Sequence, residues 1–272
     1  MDRIEVWLSV VRESLSPRTL GLYEMVLRQV QEALGAPEGW TIFGLMGWLA
    51  ECGERGCSDA TRNTYLQSLR SFCRTQRTDI HEKLPSLITA MPVQVRVAEV
   101  DDVQLLFDSP RLKPKLRLAL LLVADAGLRE CEVRSLRWEG VDLDNHVLRV
   151  EGKGNKVRML PAPSARLWVA VQERAAQGID PDGFVIPGRA GAQMTRGHIS
   201  RQLGDVAETV LGRRLPAHSF RHGFAVRAVQ NQVPEKMLQI ALGHASLATT
   251  DRYLRGLDTN VEALREAFVS FE

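Results

Sequence analysis

Apolar residues recur at helical spacing in the first part of the chain, most clearly in the stretch SPRTLGLYEMVLRQVQEALG. Ser16 is suited to cap a helix whose first residue is Pro17, and Gly35 is suited to end it. The inward side of this helix is formed by Leu20, Tyr23, Val26, Leu27 and Val30. Because these positions follow a period near 3.6 residues, the stretch predicts an amphipathic α-helix.

Two further helices are predicted in TIFGLMGWLAEC and in SDATRNTYLQSLRSFCRTQ, with Ser58 as the cap of the second. The apolar side of that second helix consists of Leu66, Leu69, Phe72 and Cys73. Another side, at positions i, i+4, i+7 and i+11, consists of Asn63, Gln67, Arg70 and Arg74. Such amides and guanidinium groups can hydrogen-bond adenine or guanine edges in the major groove of DNA. A solvated polar face has the same composition, so this helix alone leaves both interpretations open.

The helical pattern stops around EKLPSLITAMPVQVRVAEVDD, where Pro85 and Pro92 interrupt any helix. This break predicts a boundary between a helical domain at residues 1–92 and a second domain at residues 97–272. The second domain begins with a predicted helix at about 100–108. It continues with PKLRLALLLVADAG, which is apolar nearly all round and predicts a central, buried helix closed by Gly127.

A β-hairpin is predicted in DNHVLRVEGKGNKVRMLPAP, with strands at 147–150 and 157–160. Gly152, Gly154 and Asn155 lie between the strands and favour a turn. Helices follow at about 163–177, at 195–211 with Thr195 as its cap, in AHSFRHGFAVRAVQ and in PEKMLQIALG. The predicted fold class is therefore mainly α with a small β-hairpin, as a helical first domain and a mixed, mostly helical second domain.

The composition is that of an ordinary globular protein with room for two cores, since 44% of the 272 residues are hydrophobic. A formal net charge of +2 is too small to indicate a nucleic-acid partner by itself. No apolar run approaches the ~18 residues that span a bilayer, and the start of the chain is unlike a signal peptide. These features predict a cytoplasmic protein without a membrane partner.

The four cysteines are Cys52, Cys57, Cys73 and Cys131, and they lack the spacing of a metal site. They fall in segments with a helical pattern, so reduced and partly buried thiols are expected. Neither zinc nor any other metal is predicted.

Residues able to handle a phosphate group recur in short motifs along the second domain. AGLRECE contains Arg129 and Glu132, GKGNKVR contains Lys153, HSFRH contains His218 and Arg221, LGH contains His244, and TTDRYL contains Tyr253. Their order and local settings resemble the tyrosine recombinases, the family that contains the Xer proteins, phage integrases and Cre. The resemblance covers essentially the whole chain, because the helical first part is similar to the family's core-binding domain.

Breaking a DNA phosphodiester loads negative charge onto its equatorial oxygens, so the catalyst must supply fixed positive charge. Guanidinium groups bind phosphate oxygens bidentately and keep their proton, which suits Arg129 and Arg221 to the two sides of the group. Such permanent charge can stand in for a metal ion, and no cofactor or ATP is predicted. Glu132, three residues after Arg129, is expected on the same helix face as a brace that orients its neighbours.

The resemblance implies a role for each remaining residue of the set. Tyr253 takes the phosphate as a 3′-phosphotyrosyl ester, which conserves the energy of the broken bond for rejoining. Lys153 protonates the leaving 5′-oxygen. His218 exchanges protons with the tyrosine and the phosphate, and His244 hydrogen-bonds a non-bridging oxygen.

The implied function is a site-specific DNA recombinase that cleaves and rejoins duplex DNA at a specific recombination site, for integration, excision or dimer resolution. The alternatives are a topoisomerase-like strand passer with the same covalent step and a DNA-binding regulator that does not use catalysis. One departure from the family pattern is Gly223, because Thr or Ser commonly follows HSFRH. Glycine there is expected to loosen the helix by ~1 kcal/mol relative to alanine.

The tail DTNVEALREAFVSFE predicts a terminal amphipathic helix capped by Asp258 or Thr259. Its apolar side consists of Val261, Leu264, Phe268 and Phe271. By resemblance this helix docks on a neighbouring protomer in a ring of four on synapsed DNA. The resemblance also admits a second recombinase as a partner and places the DNA-bound protein at the nucleoid.

Overall fold

The computed structural model describes residues 2–76, 79–86, 97–152, 156–161 and 164–243. The chain divides into two compact units, Met1–Gln94 and Val95–Glu272. Each unit encloses its own apolar core. No helix within the described ranges is long and apolar enough to cross a membrane.

The first unit is built from helices alone in the part that the structure describes. Helices α1 to α5 are Arg3–Val11, Pro17–Leu34, Ile42–Glu54, Asp59–Thr75 and Ile80–Lys83. The predicted caps are confirmed, since Ser16 Oγ accepts from Thr19 N at 3.1 Å and Ser58 Oγ accepts from Thr61 N at 3.2 Å. The predicted apolar side of α4 is confirmed as well, and all four of its residues are buried in the core.

The polar side of α4 is not uniformly open to solvent. Gln67 and Arg74 are exposed, whereas Asn63 and Arg70 are half-buried. The Arg70 guanidinium donates to the backbone carbonyl of Leu84 at 3.1 Å and also to that of Pro85. Arg70 therefore fastens the segment after α5 to α4, a task that the sequence pattern did not indicate.

Two of the cysteines differ from expectation. Cys57 does not lie in a helix, because α3 ends at Glu54 and Gly56 then adopts a φ of +86°. The Cys57 amide donates to the Cys52 carbonyl at 2.9 Å, which closes the end of α3 as in a Schellman motif. Cys131 is exposed rather than partly buried.

The second unit combines helices with a small sheet. Helices α6 to α12 are Val100–Asp108, Pro114–Ala124, Glu130–Ser135, Ala165–Ala176, His198–Leu211, Ala217–Gln230 and Glu235–Leu242. Strands β1, β2 and β3 are Val141–Asp142, Val147–Glu151 and Val157–Pro161, and they form an antiparallel sheet in that order. The predicted hairpin is confirmed, with Val147 opposite Pro161 and Glu151 opposite Val157.

Helix α7 is the centre of the second unit, as its all-round apolar pattern predicted. Eight of its residues are buried, and α9, α10 and α11 pack against it. The helix gives way to a turn at Gly127, whose φ is +64°. A Cβ at Gly127 would lie 2.6 Å from the Phe224 ring, so both the backbone angle and the packing require glycine.

The start of α10 corrects one expectation. The helix begins at His198, and Gly197, with a φ of +74°, precedes it. The carbonyl of Thr195 accepts from the His198 amide at 3.2 Å, so Thr195 belongs to a turn before the helix and does not cap it. The left-handed backbone of Gly197 changes the direction of the chain before the helix. A threonine ahead of an apolar pattern does not reveal this change.

Gly223 of α11 lies against the segment that leads into α6. The Ala98 amide donates to the Ser219 carbonyl at 3.1 Å, which lays this segment along the helix. A Cβ at Gly223 would be only 2.1 Å from the Ala98 carbonyl oxygen. The glycine therefore makes room for a close backbone contact, and the expected loosening of α11 is not its main effect.

We expect Gly223→Ser to lower the free energy of unfolding by about 1–3 kcal/mol, because the added atoms must displace the backbone at Ala98. Urea denaturation of the full chain measures the change. Gly21→Ala in α2 is the matched control, since a Cβ there meets nothing within 4 Å. The control is expected to stabilise by about 0.5–1 kcal/mol. A neutral or stabilising Gly223→Ser would show that the contact is not needed.

Candidate active site

Arg129 and Glu132 meet at the beginning of α8. Arg129 directly precedes the helix, and its amide donates to Glu132 Oε2 at 2.8 Å. Its Nη1 donates to Glu132 Oε1 at 2.9 Å. The two residues were expected on one helix face, but the contact is instead a cap in which Glu132 binds both the backbone and the side chain of Arg129.

Arg221 reaches the same carboxylate from α11. Its Nη1 lies 3.8 Å from Glu132 Oε2 and donates to the Gly127 carbonyl. Its Nη2 donates to the Leu242 carbonyl at 2.7 Å, at the end of α12. The fold thus brings Arg129, Glu132 and Arg221 together, although Arg221 lies far along the chain from the other two.

Burial and the neighbouring charge of Arg129 lower the pKa of Arg221 to about 9. The guanidinium still keeps its proton at neutral pH. Burial opposes ionisation of Glu132, but the hydrogen bonds and charges of Arg158, with those of Arg129 and Arg221, outweigh it and lower the pKa of Glu132. Glu132 is therefore ionised at pH 7 beside a charged Arg221.

His218 lies at the surface one helical turn before Arg221 on α11. Its ring centroid is 5.6 Å from that of His222, in an edge-on arrangement. The pKa of His218 is lowered from its ordinary 6.5, chiefly by partial loss of solvent. The His222 ring and the charges of Arg221 and Arg129 lower it further. The imidazole is mostly neutral at pH 7 and can accept a proton beside the arginines.

Arg158 is a member of the cluster that the sequence analysis missed. It projects from β3, where its side chain is 8% exposed. Nη1 and Nη2 donate to the two carboxylate oxygens of Glu132 at 3.0 and 2.8 Å, and Nε donates to the Ala241 carbonyl at 2.9 Å. The strand alternation contained a signal, because Arg158 occupies an inward position two residues before buried Leu160.

Arg129, Glu132 and Arg158 border a cleft of about 1000 Å³. Its walls come from α8, the ends of β2 and β3, and the turn after α12, and include Arg129, Glu132, Gly152, Lys156, Arg158 and Gly243. The Gly243 carbonyl accepts from Arg129 Nη2 at 3.2 Å, so the chain leaves α12 at the edge of the arginine cluster. Gly243 has a φ of +59°, and a Cβ there would lie 2.8 Å from Arg158 Nη1.

Three of the expected site residues, Lys153, His244 and Tyr253, lie outside the described residues. Lys153 belongs to the stretch between β2 and β3, and His244 directly follows Gly243. Within the described ranges, no group of His, Cys, Asp and Glu could hold a metal ion. The charged groups that do converge suit an anionic tetrahedral ligand such as a phosphodiester.

Comparison with known proteins gives a consistent result. Residues 96–259 match the phage integrase family. The chain is 29% identical to tyrosine recombinase XerA of Thermococcus onnurineus, over 98% of this chain and 93% of that protein. It is also 29% identical to tyrosine recombinase XerC of Alcanivorax borkumensis, over 88% of this chain and 83% of that protein.

The fold has a close counterpart among solved structures. The Tn1549 transposon integrase, in complex with circular intermediate DNA, aligns over 98% of both chains with a TM-score of 0.77 and 18% identity. At that identity the likeness concerns the fold alone.

Proposed function

The chain belongs to the phage integrase family and is a tyrosine-type site-specific DNA recombinase, and we propose that Tyr253 attacks a DNA phosphate held between Arg129 and Arg221. The observation that carries this proposal is the convergence of both arginines on Glu132, beside the end of α12. Two guanidinium groups beside one carboxylate leave positive charge in excess, and that charge suits a bound phosphate.

In the proposed cleavage step, the Tyr253 oxygen forms a bond to phosphorus and the bond from phosphorus to the 5′-oxygen breaks. Negative charge grows on the non-bridging oxygens, and the fixed guanidinium groups stabilise it without reorganising. The His218 imidazole is mostly neutral at pH 7 and takes the phenolic proton. Lys153 gives a proton to the leaving oxygen, and His244 donates to a non-bridging oxygen.

Rejoining follows the same path in reverse. A 5′-hydroxyl of a second DNA strand attacks the phosphotyrosyl ester and releases Tyr253, so the number of phosphoester bonds is unchanged. The step needs neither ATP nor a metal ion, since the ester retains the energy of the original bond. Exchange of strands between two duplexes is the recombination product.

We propose that the duplex is held by both units, residues 1–92 as the core-binding domain and residues 97–272 as the catalytic domain. The tail beyond the described residues docks on a neighbouring protomer, giving a tetramer on synapsed DNA, with the same protein or a second recombinase as partner. A ring of identical head-to-tail contacts closes and couples the active sites. This assembly acts in the cytoplasm, at the nucleoid.

The function is tested by trapping the covalent intermediate on a pool of nicked duplexes with random central sequence. Loss of the short strand at the nick prevents rejoining, and sequencing of the denaturation-resistant adducts identifies the cleaved site. Two differently labelled duplexes that carry this site are then mixed with the protein. Exchanged products identify a recombinase, adducts without exchange identify a strand passer, and absence of adducts identifies a regulator.

Base readout by α4 predicts that Arg70→Ala costs about 1–3 kcal/mol of affinity for the preferred duplex and flattens the preference at one base pair. Because Arg70 also holds the carbonyls of Leu84 and Pro85, Arg74→Ala is the matched variant on the same side of the helix. Competition binding against single-base variants of the duplex measures both. Equal weakening on all sequences would make these residues phosphate contacts, and no weakening would leave a solvated face.

A further inference from the structure

Arg158 stands at the junction of three elements of the second unit. Its two terminal nitrogens occupy both oxygens of Glu132 on α8, and its Nε holds the Ala241 carbonyl near the end of α12. The residue itself belongs to β3. A single guanidinium therefore joins the helix that follows Arg129, the helix that precedes His244 and the strand that follows Lys153.

The geometry around Glu132 shows what this guanidinium controls. Glu132 Oε1 accepts from Arg129 Nη1 and Arg158 Nη1, and Oε2 accepts from the Arg129 amide and Arg158 Nη2. Arg221 remains at 3.8 Å from the same carboxylate, beyond a hydrogen bond. Arg158 thus hydrogen-bonds both carboxylate oxygens of Glu132 from the side of the sheet. Arg221 donates to backbone carbonyls instead.

Burial decides how strongly this contact constrains the site. The side chains of Glu132 and Arg158 are 2% and 8% exposed, whereas that of Arg129 is 33% exposed. A bidentate pair at such burial has one favourable geometry. Removal of Arg158 would leave the Glu132 carboxylate held by Arg129 alone. The buried pair is the fixed part of the cluster, and Arg129 is the most exposed of the three side chains.

We propose that Arg158 is a positioning residue for strand cleavage. It holds the Glu132 carboxylate so that Arg129 presents its guanidinium to the cleft. Arg158 does not touch the DNA phosphate in this proposal and acts through Glu132. The proposal rests on the proposed function, because it assigns Arg158 to the same cleavage step.

The test uses the full-length protein and a nicked duplex recovered from the random pool. Arg158→Met is expected to lower the single-turnover rate of adduct formation at saturating DNA by ~10²-fold, since a misplacement near 1 Å costs that much. The dissociation constant for the duplex is expected to change by less than about threefold, because Arg158 makes no DNA contact. Arg158→Lys keeps the charge but cannot span both carboxylate oxygens, and it is expected to be slow as well.

Arg166→Met is the matched control for loss of an arginine that binds a buried carboxylate through two nitrogens; the side chain of Arg166 is 30% exposed and that of Asp125 is 4% exposed. Arg166 binds both oxygens of Asp125 at 2.7 Å in the same unit, at a carboxylate other than Glu132. The control is expected to lose stability without the ~10²-fold loss of rate. Thermal melting of each variant establishes that the measured protein is folded. If Arg158→Met does not fold, the rate of Arg158→Lys is measured in its place.

A double-mutant cycle separates positioning through Glu132 from general damage. If Arg158 acts through Glu132, Arg158→Met in a Glu132→Gln background is expected to add less than about threefold to the loss of rate. Independent, multiplying losses would overturn the proposal. So would a folded Arg158 variant that cleaves at the wild-type rate, or one whose defect is weak DNA binding alone. Failure of the wild-type protein to form any adduct would instead overturn the proposed function itself.

Discussion

Replacing Tyr253 with Phe is expected to abolish the denaturation-resistant protein–DNA adduct and to leave the affinity for duplex DNA unchanged. Only one oxygen is removed, and because the proposed mechanism makes that oxygen the nucleophile, the ester should not form without it. The measurement combines adduct trapping on the nicked duplex with a binding titration of the same DNA. Because the expected loss is complete, this variant gives the clearest signal of any substitution in the chain.

Tyr23→Phe is the matched control, since it removes the same atom from a tyrosine of the first unit that stacks on Trp7. It is expected to form the adduct at the wild-type rate. An adduct that survives in Tyr253→Phe would show that another residue is the nucleophile. Loss of duplex binding in the Phe variant would instead place the Tyr253 hydroxyl among the DNA contacts.

The second large effect concerns Lys153 and the atom that leaves. If Lys153 protonates the departing 5′-oxygen, Lys153→Ala is expected to slow cleavage by ~10²-fold or more on ordinary DNA. With sulfur at the bridging position the loss should nearly vanish, because a thiolate with a pKa near ~8.5 leaves without a proton. Single-turnover rates of both proteins on matched oxygen and sulfur duplexes measure the difference.

Lys156 offers a comparison three residues away, because it lines the cleft near β3. Removing a lysine that only contacts phosphate slows cleavage by the same factor with either leaving atom, since the charge on the non-bridging oxygens is similar. Lys156→Ala is expected to follow that equal pattern if it affects cleavage at all. An equal loss for Lys153→Ala would remove Lys153 from the general-acid role.

Local chemistry explains why most helices were predictable. Ser16 and Ser58 each cap a helix through their own side-chain oxygen, and that interaction needs only residues within three positions. The buried character of α7 follows in the same way from its apolar run. Thr195 shows the limit of such rules, because the left-handed Gly197 two residues later decides where α10 begins.

The candidate site was only partly predictable. Arg129, Glu132 and Arg221 could be selected from the order of motifs, and the structure brings them together. Arg158 was missed because its partner Glu132 lies 26 positions away, and the inward position of Arg158 on β3 does not by itself identify that partner. The contact of Arg70 with the segment after α5 likewise depends on carbonyls 14 and 15 positions further on. The roles of Lys153, His244 and Tyr253 stay predictions.

The contact between Ala98 and Gly223 sets a rule for hybrid proteins built by exchanging the first unit. If the two proteins are joined upstream of residue 97, the Ala98 segment and α11 come from the same protein. The 3.1 Å hydrogen bond from the Ala98 amide to the Ser219 carbonyl is then preserved. A splice downstream of Ala98 would lay a foreign segment over Gly223 and open a gap or a clash there. If the second unit comes from a relative with Thr or Ser at the position of Gly223, the segment equivalent to Ala98 must therefore come from the same relative.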